Sequence, residues 1–324
     1  MISRPTLRHP YVRGLTPLLA AGLLTLTACG SDAESNSTQV ETITVTDSRG
    51  SEEVPLNPES VVVYDMGVLD TLDALGVDAV SGVAKGAAPS YLEKYEGDDY
   101  VGVGDLFEPD LEAIPQTEPD LIIVGGRSSE MHDTLADAFD GVPVLDMSVD
   151  ETDYLASAKT NVLELAKIFD KTAEAEAKLA EYDEQVAEIN EGAADAGTAL
   201  VLLTSGGEIT AYSLNSRFGF LHEDFGVEAA TGELGDTESR HGEAVSFEFV
   251  READPDMLFV VDRDAAIGES GDSAEEVLDN QLVHATKAWQ DDRVTYVDGE
   301  AWYIVVGGLT GLGTLIEEIK AGIA

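Results

Sequence analysis

The sequence predicts an α/β protein of two Rossmann-like lobes with mainly parallel sheets, joined by a long rigid α-helix, with a ligand cleft between the lobes. Three observations carry this. A motif occurs twice: Glu118-Pro119-Asp120 runs into an apolar stretch that ends at Arg127, and Asp254-Pro255-Asp256 runs into another that ends at Arg263, at a constant offset of 136 residues. A helical pattern over residues 154–191 separates the two copies. On each side of it, strand and helix patterns alternate, the arrangement expected of a parallel sheet with crossover helices.

The helical run rests on its periodicity. Leu155, Ala158, Val162, Leu165, Ala166 and Phe169 recur at spacings of three and four, which makes one apolar face. Asp170 is placed to cap a second helix. That helix carries Ala175, Leu179, Tyr182, Val186 and Ile189 in a narrow seam, and Gly192 reads as its stop. From 172 to 191 it would be about 30 Å long, at roughly 1.5 Å per residue. A helix of that length can lie across two lobes and hold them at a fixed distance.

In the first lobe, residues 41–46 alternate and read as a strand, followed by a turn at Asp47-Ser48-Arg49-Gly50. Residues 61–64 and 79–82 read as strands around a helix over 68–75, and 121–124 and 142–145 complete the sheet. In the second lobe the expected strands are 199–203, 209–212, 257–261 and 294–297. Helices are expected over 218–225, 274–278, 283–289 and about 309–321, with a long polar loop at 232–242. The apolar runs of the repeat read as strands buried on both faces. Arg127 and Arg263 then lie just past the carboxyl ends of equivalent strands, the edge where open α/β sheets bind ligands.

The ends and the charge narrow the class. Arg4, Arg8 and Arg13 precede an apolar run over 15–26 that is too short and interrupted for a membrane span, so residues 1–28 read as a signal peptide. The run closes in Leu26-Thr27-Ala28-Cys29, similar to the bacterial lipoprotein signal box. Cleavage before Cys29 would leave the thiol lipidated and residues 29–40 as a polar tether. The lobes are then 41–153 and 193–324, with 154–192 as the helical linker. Cys29 is the only cysteine, so no internal disulfide can form. The net charge is −46; three of the 18 basic residues and none of the 64 acids lie in the first 28, so the remainder carries −49. That opposes nucleic acid as a partner, and it suits a surface in salty surroundings. Only seven arginines follow residue 28, so their positions are informative.

The stretches ITVTDSRGSEE (43–53), EPDLIIVGGR (118–127), NSRFGFLHEDFG (215–226), HGEAVSFEFVREADPDMLFVVDR (241–263) and AWYIVVGG (301–308) resemble the substrate-binding lipoproteins of ABC iron-siderophore importers, in the branch that takes catecholate siderophores and petrobactin. The resemblance implies a non-enzymatic binding protein, monomeric, without a cofactor of its own. It would be lipid-anchored outside the cytoplasmic membrane, with an iron(III)-siderophore complex as ligand and an ABC permease as partner. It places Arg127, Arg217 and Arg263 around the ligand, with Trp302 beside the cleft. His241 and Tyr303 are implied as iron ligands when the siderophore leaves positions open. Asp70 and Glu223 are implied as acidic docking points for the permease. Arg240 and the acidic loop before it depart from the branch.

Haem or cobalamin on the same fold is the alternative ligand. An α/β surface enzyme is less favoured, because the chain has no Gly-x-Ser-x-Gly, P-loop, His-Glu-x-x-His or spare cysteine. The glycines from Gly307 to Gly313 lack dinucleotide spacing, and five scattered histidines do not suggest a bare metal site.

Overall fold

The structure, a computed structural model, describes residues 41–232, 234 and 242–324. The signal segment, Cys29 and the tether lie outside the described residues, as do Arg240, His241 and most of the acidic loop. Strands β1 (Thr42–Asp47) and β2 (Gly50–Pro55) form an antiparallel hairpin. Asp47 Oδ1 closes its turn by accepting from the amides of Arg49 and Gly50.

The first sheet is built from β3 (Val61–Val63), α1 (Met66–Ala74), β4 (Val80–Val83), β5 (Val101–Gly102), β6 (Leu121–Val124), α2 (His132–Ala138) and β7 (Val144–Asp146). Its strands are all parallel, in the order β5-β4-β3-β6-β7. Helices α3 (Tyr154–Ile168) and α4 (Thr172–Ala196) follow. The second part comprises β8 (Thr198–Ser205), β9 (Glu208–Tyr212), α5 (Phe220–Glu223), β10 (Glu228–Ala229), β11 (Glu243–Val245), α6 (Phe247–Ala253), β12 (Met257–Asp262), α7 (Arg263–Ala266), α8 (Ala274–Leu278), α9 (Lys287–Gln290), β13 (Val294–Val297) and α10 (Leu309–Ile323). The strand order is β11-β9-β8-β12-β13, with β10 beside the start of β8. Among the described residues of this sheet, only the two pairings made by β9 are antiparallel.

The repeated motif has a structural cause. β6 lies between β3 and β7, and β12 lies between β8 and β13, so the two copies hold equivalent places. Asp120 Oδ2 accepts from the amides of Glu59 and Ser60, just before β3. Asp256 Oδ2 accepts from Thr198 N and Oγ1, at the start of β8. Each motif aspartate thus pins the entry of the neighbouring strand. The acidic residue two places earlier takes a left-handed turn in both copies, with φ of 46° at Glu118 and 43° at Asp254.

Burial follows the strand period. Met257, Phe259 and Val261 of β12 face a core that continues through α4 and α10 into the first sheet, while Leu258 and Val260 face a second core with Val250, Leu278 and Ala288. The α4 seam is as expected: Ala175, Leu179, Tyr182 and Ile189 are buried. Two details differ. The helix runs through Gly192 to Ala196, because Ala193 continues the buried stripe and that packing outweighs the roughly 1 kcal/mol cost of an interior glycine. Gly197, at φ 97°, makes the stop instead. Asp170 does not cap α4 either; it sits in a left-handed turn, and Lys171 takes the cap position without a side-chain bond. At 25 residues α4 is about 37 Å long. α10 packs along α4 and α1 and also touches β13, which makes it a second tie between the sheets. Among the described residues no helix is long and apolar enough to cross a membrane.

Candidate functional site

Three of the predicted arginines meet. Arg127 begins its approach from Gly125-Gly126, at the carboxyl end of β6. Arg263 opens α7 at the carboxyl end of β12. Arg217 comes from the irregular segment between β9 and α5. All three converge on Tyr303, which lies in a π-helical turn, Glu300–Ile304, beyond β13. Such turns are rare and often mark functional positions.

The contacts are specific. The Tyr303 carbonyl accepts from Arg127 Nη2 at 2.7 Å and from Arg217 Nη2 at 2.8 Å. Its hydroxyl accepts from Arg263 Nε at 3.2 Å. The guanidinium carbons of Arg217 and Arg127 lie 4.3 and 4.7 Å from the ring centre, within cation–π range. Arg127 belongs to the first sheet and the other groups to the second, so the cluster bridges the lobes.

Charge accumulates here. Burial, with the charge of Arg127 adding to it, holds Arg217 below the ordinary guanidinium range, and its Nε is buried without a hydrogen-bond partner. Burial alone would push the Tyr303 hydroxyl up. The Arg263 hydrogen bond and the charges of Arg217 and Arg127 outweigh that and lower it. Arg263 is oriented from behind: Nη1 donates to Ser205 Oγ at 3.2 Å, and Ser205 donates to the buried Asp264 at 3.0 Å. The arrangement suits an anion with several oxygens, and the acidified phenol can give its proton to solvent and offer its oxygen to a Lewis acid.

Two expected site residues are corrected. Trp302 does not line the cleft. It is 2% exposed, stacks on Phe259 with ring centres 5.9 Å apart, and donates through Nε1 to Glu318. Its neighbour Tyr303 is the one that faces the arginines. Asp70 is no docking point, because it is 1% exposed. Its carboxylate accepts from Thr310 N at 2.7 Å, Gly311 N at 3.4 Å and Tyr91 Oη at 2.8 Å, which makes it the N-terminal cap of α10. Glu223 is exposed on α5, with one oxygen accepting from Asn215 N.

Sequence reasoning missed Asp65, Ser205 and Asp264. Asp65 and Ser205 stand at carboxyl ends of strands, so the rule that singled out Arg127 and Arg263 would also have found them. A surface concavity of about 480 Å³ lies near Thr46, Ser148, Asp150 and Asn161, but no cation is among its lining residues. Its polar groups bond one another: Asp150 N donates to Ser157 Oγ, and Asn161 Nδ2 to Met147 O. Among the described residues no three His, Cys, Asp or Glu side chains converge as a metal site.

Fold and site define a two-lobed binding protein with a cationic cleft. The chain belongs to the periplasmic binding protein family, whose profile matches residues 61–301; it is a substrate-binding protein and not an enzyme. It is 37% identical over 306 residues to the petrobactin-binding protein YclQ of Bacillus subtilis (strain 168), covering 92% of this chain and 94% of that protein. It is 32% identical over 314 residues to the ferric-anguibactin-binding protein FatB of Vibrio anguillarum (strain ATCC 68554 / 775), covering 94% and 96%. The crystal structure of the periplasmic catecholate-siderophore binding protein VctP from Vibrio cholerae matches with a TM-score of 0.80 at 34% identity, over 87% of this chain and all of that one (100%).

Proposed function

We propose that this chain captures a ferric siderophore of the catecholate type outside the cytoplasmic membrane and delivers it to the permease of an ABC importer for iron uptake. The observation that carries this is the convergence of Arg127, Arg217 and Arg263, from both lobes, on Tyr303. A tris-catecholate iron(III) complex is a trianion with planar, exposed oxygens. A guanidinium keeps its charge and presents a planar fork of donors to such paired oxygens, which an ammonium does not. Relatives named for petrobactin, ferric anguibactin and catecholate siderophores support the same ligand class.

The remaining assignments belong to this reading. Tyr303, its hydroxyl acidified by the guanidiniums, and His241 supply phenolate and imidazole to iron(III) when the siderophore provides only four donors. Residues 1–28 are removed, Cys29 carries the lipid, and 29–40 form the tether. The lobes are 41–153 and 193–324, joined by 154–192. The protein works as a monomer, and Glu223 faces the permease.

Fluorescence titration tests the ligand. Trp302 lies directly beside Tyr303 in the chain and in the core behind it, so its emission should report occupancy. Ferric enterobactin and a ferric bis-catecholate are expected to quench saturably, and haemin and cyanocobalamin are not. Saturable quenching by haemin or cyanocobalamin, with none from the ferric catecholates, overturns the reading.

A further inference from the structure

We infer that binding of an anion at Arg127 is coupled to uptake of one proton by Asp65, which serves in the empty cleft as a positioning counter-charge for that arginine. The inference rests on the ligand reading above and deepens it.

The geometry comes first. Asp65 directly follows the first strand run of its sheet, at the same carboxyl edge as Arg127 and one strand away. Oδ1 accepts from Val68 N at 2.9 Å and caps α1. The other oxygen is pressed against the backbone that leads into Arg127. A Cβ placed on Gly125 would meet Asp65 Oδ2 at 3.1 Å, and one on Gly126 would meet it at 3.5 Å. Gly125 therefore makes room for this carboxylate, while the Gly126 distance is ordinary van der Waals contact. Gly126 also takes φ 49°, a turn that side chains disfavour.

Few charges face Asp65. The charge of Arg127 acts on it from the turn after β6, and that of Asp146 from the end of β7; α1 contributes the amides of Gly67 and Val68. Burial dominates and pushes its pKa up to about 6, against the Val68 and Gly67 amides and the Arg127 charge, with Asp146 adding to the rise. The charge of Arg127 thus helps to keep the carboxylate ionised. An anionic ligand divides the charge of Arg127 and adds its own repulsion. Both changes favour the neutral carboxyl, and the proton comes from solvent.

The consequence is a pH-dependent affinity. Uptake of one proton per complex limits the fall to at most about tenfold per pH unit as pH rises. The test uses the full chain and ferric enterobactin between about pH 5.5 and about pH 8, bracketing the ionisation of a buried carboxyl. Asp65→Asn keeps the cap and cannot titrate. Comparing parent with variant at each pH cancels protonation of the siderophore itself.

The two affinities are expected to agree at the acid end, with the parent about tenfold or more weaker near pH 8. Calorimetry in phosphate and in Tris should give buffer-dependent proton uptake for the parent that exceeds the variant's. Parallel affinity profiles with equal proton uptake overturn the coupling while leaving the ligand reading intact. Absence of binding to parent and variant alike overturns the ligand reading and the coupling with it. Should the variant fail to fold, difference infrared spectra of the parent decide. A protonated-carboxyl band that appears on binding near neutral pH supports the inference, and its absence overturns it.

Discussion

The two lobes start from the same unit and finish with different equipment. In each, a Pro-Asp turn pins the next strand's entry, a buried strand follows, and an arginine stands at its carboxyl end. On the far side of β3 the chain returns by a crossover and lays β4 parallel. On the far side of β8 it folds straight back through Gly206-Gly207 and lays β9 antiparallel. That hairpin delivers the chain to the irregular segment that carries Arg217, which has no counterpart in the first lobe. The duplicated unit thus accounts for one arginine per lobe. The asymmetry of the cleft, with two arginines and Tyr303 on one wall, comes from departures from the repeat.

The largest effect expected from this asymmetry is at Arg217. Burial lowers its pKa and its Nε is buried without a hydrogen-bond partner, so Arg217→Ala should weaken ferric catecholate binding most, by about 1.5–3 kcal/mol or roughly tenfold and more. Arg127→Ala should follow. Arg263→Ala should cost least, because its guanidinium is also engaged with Ser205 and Asp264. The exposed Arg251 serves as a control. Equal losses at Arg217 and Arg263 would show that the hairpin's arginine has no special weight.

A second effect concerns how the first lobe holds the C-terminal helix. Asp70→Ala removes the cap of α10 and leaves two amides without their acceptor. Chemical denaturation should show a loss of about 1–3 kcal/mol with ligand affinity little changed. An unchanged midpoint, with uptake in cells abolished, would return Asp70 to a docking role.

A third compares two aspartates by pH. The pKa of Asp65 is raised in the folded state, so its ionisation disfavours folding. The penalty is absent below the ordinary aspartate range and complete above about pH 6. Asp65→Asn should therefore be more stable than the parent at pH 8, by on the order of 1–3 kcal/mol, and the gap should close toward pH 4. Asp256 in the second lobe has the opposite sign. The amide and hydroxyl of Thr198, with Lys287, outweigh burial and lower its pKa, the backbone bond being the largest influence. Its contribution is present above the ordinary aspartate range and lost as pH falls through the lowered value. Denaturation midpoints of Asp65→Asn and Asp256→Asn against pH should diverge from the parent in opposite directions near neutrality. Parallel curves would remove the distinction.

What could be read from the residues follows from the range of the interactions involved. β13 and α8 match their predicted bounds because their patterns are local and regular. Arg127 and Arg263 were legible because a strand and its exit are a short-range unit. Arg217 and Tyr303 lie on irregular segments, and only the family resemblance marked them. Trp302 and Tyr303 are neighbours, and a π-helical turn has neither the strand nor the α-helix period, so no pattern says which ring turns inward. Asp70 looked like a surface acid because its partners at Thr310 and Gly311 are 240 and 241 residues away. Asp264 escaped for the same reason, since it is held by Ser205 and Gly206, 59 and 58 residues away, whereas Asp65 stood where the strand-exit rule could have found it.

The smallest effect expected is in the overall dimensions. Binding proteins whose lobes are joined by flexible strands contract on closure, and the two lobes here would be free to do so only if their connections could bend. α4 is continuous over 25 residues, with every interior dihedral held by helix bonding. α10 repeats the connection, capped by Asp70 and tied to α4 through Tyr182 Oη donating to Leu309 O at 3.0 Å. One core runs from the first sheet through both helices into the second. Three further hydrogen bonds already cross between the lobes: Arg127 to the Tyr303 carbonyl, and two from Ser90, whose amide and hydroxyl donate to Glu300 at 2.9 and 2.8 Å. A large swing would have to break these and shear the core. Small-angle scattering with and without ferric enterobactin should therefore give radii of gyration that agree within error. The ligand would be accommodated by side-chain shifts at the arginines and Tyr303 and by at most a slight tilt of one lobe. A clear contraction would mean that the shared core opens in the free protein, and that the two lobes are mechanically separate despite their double helical connection.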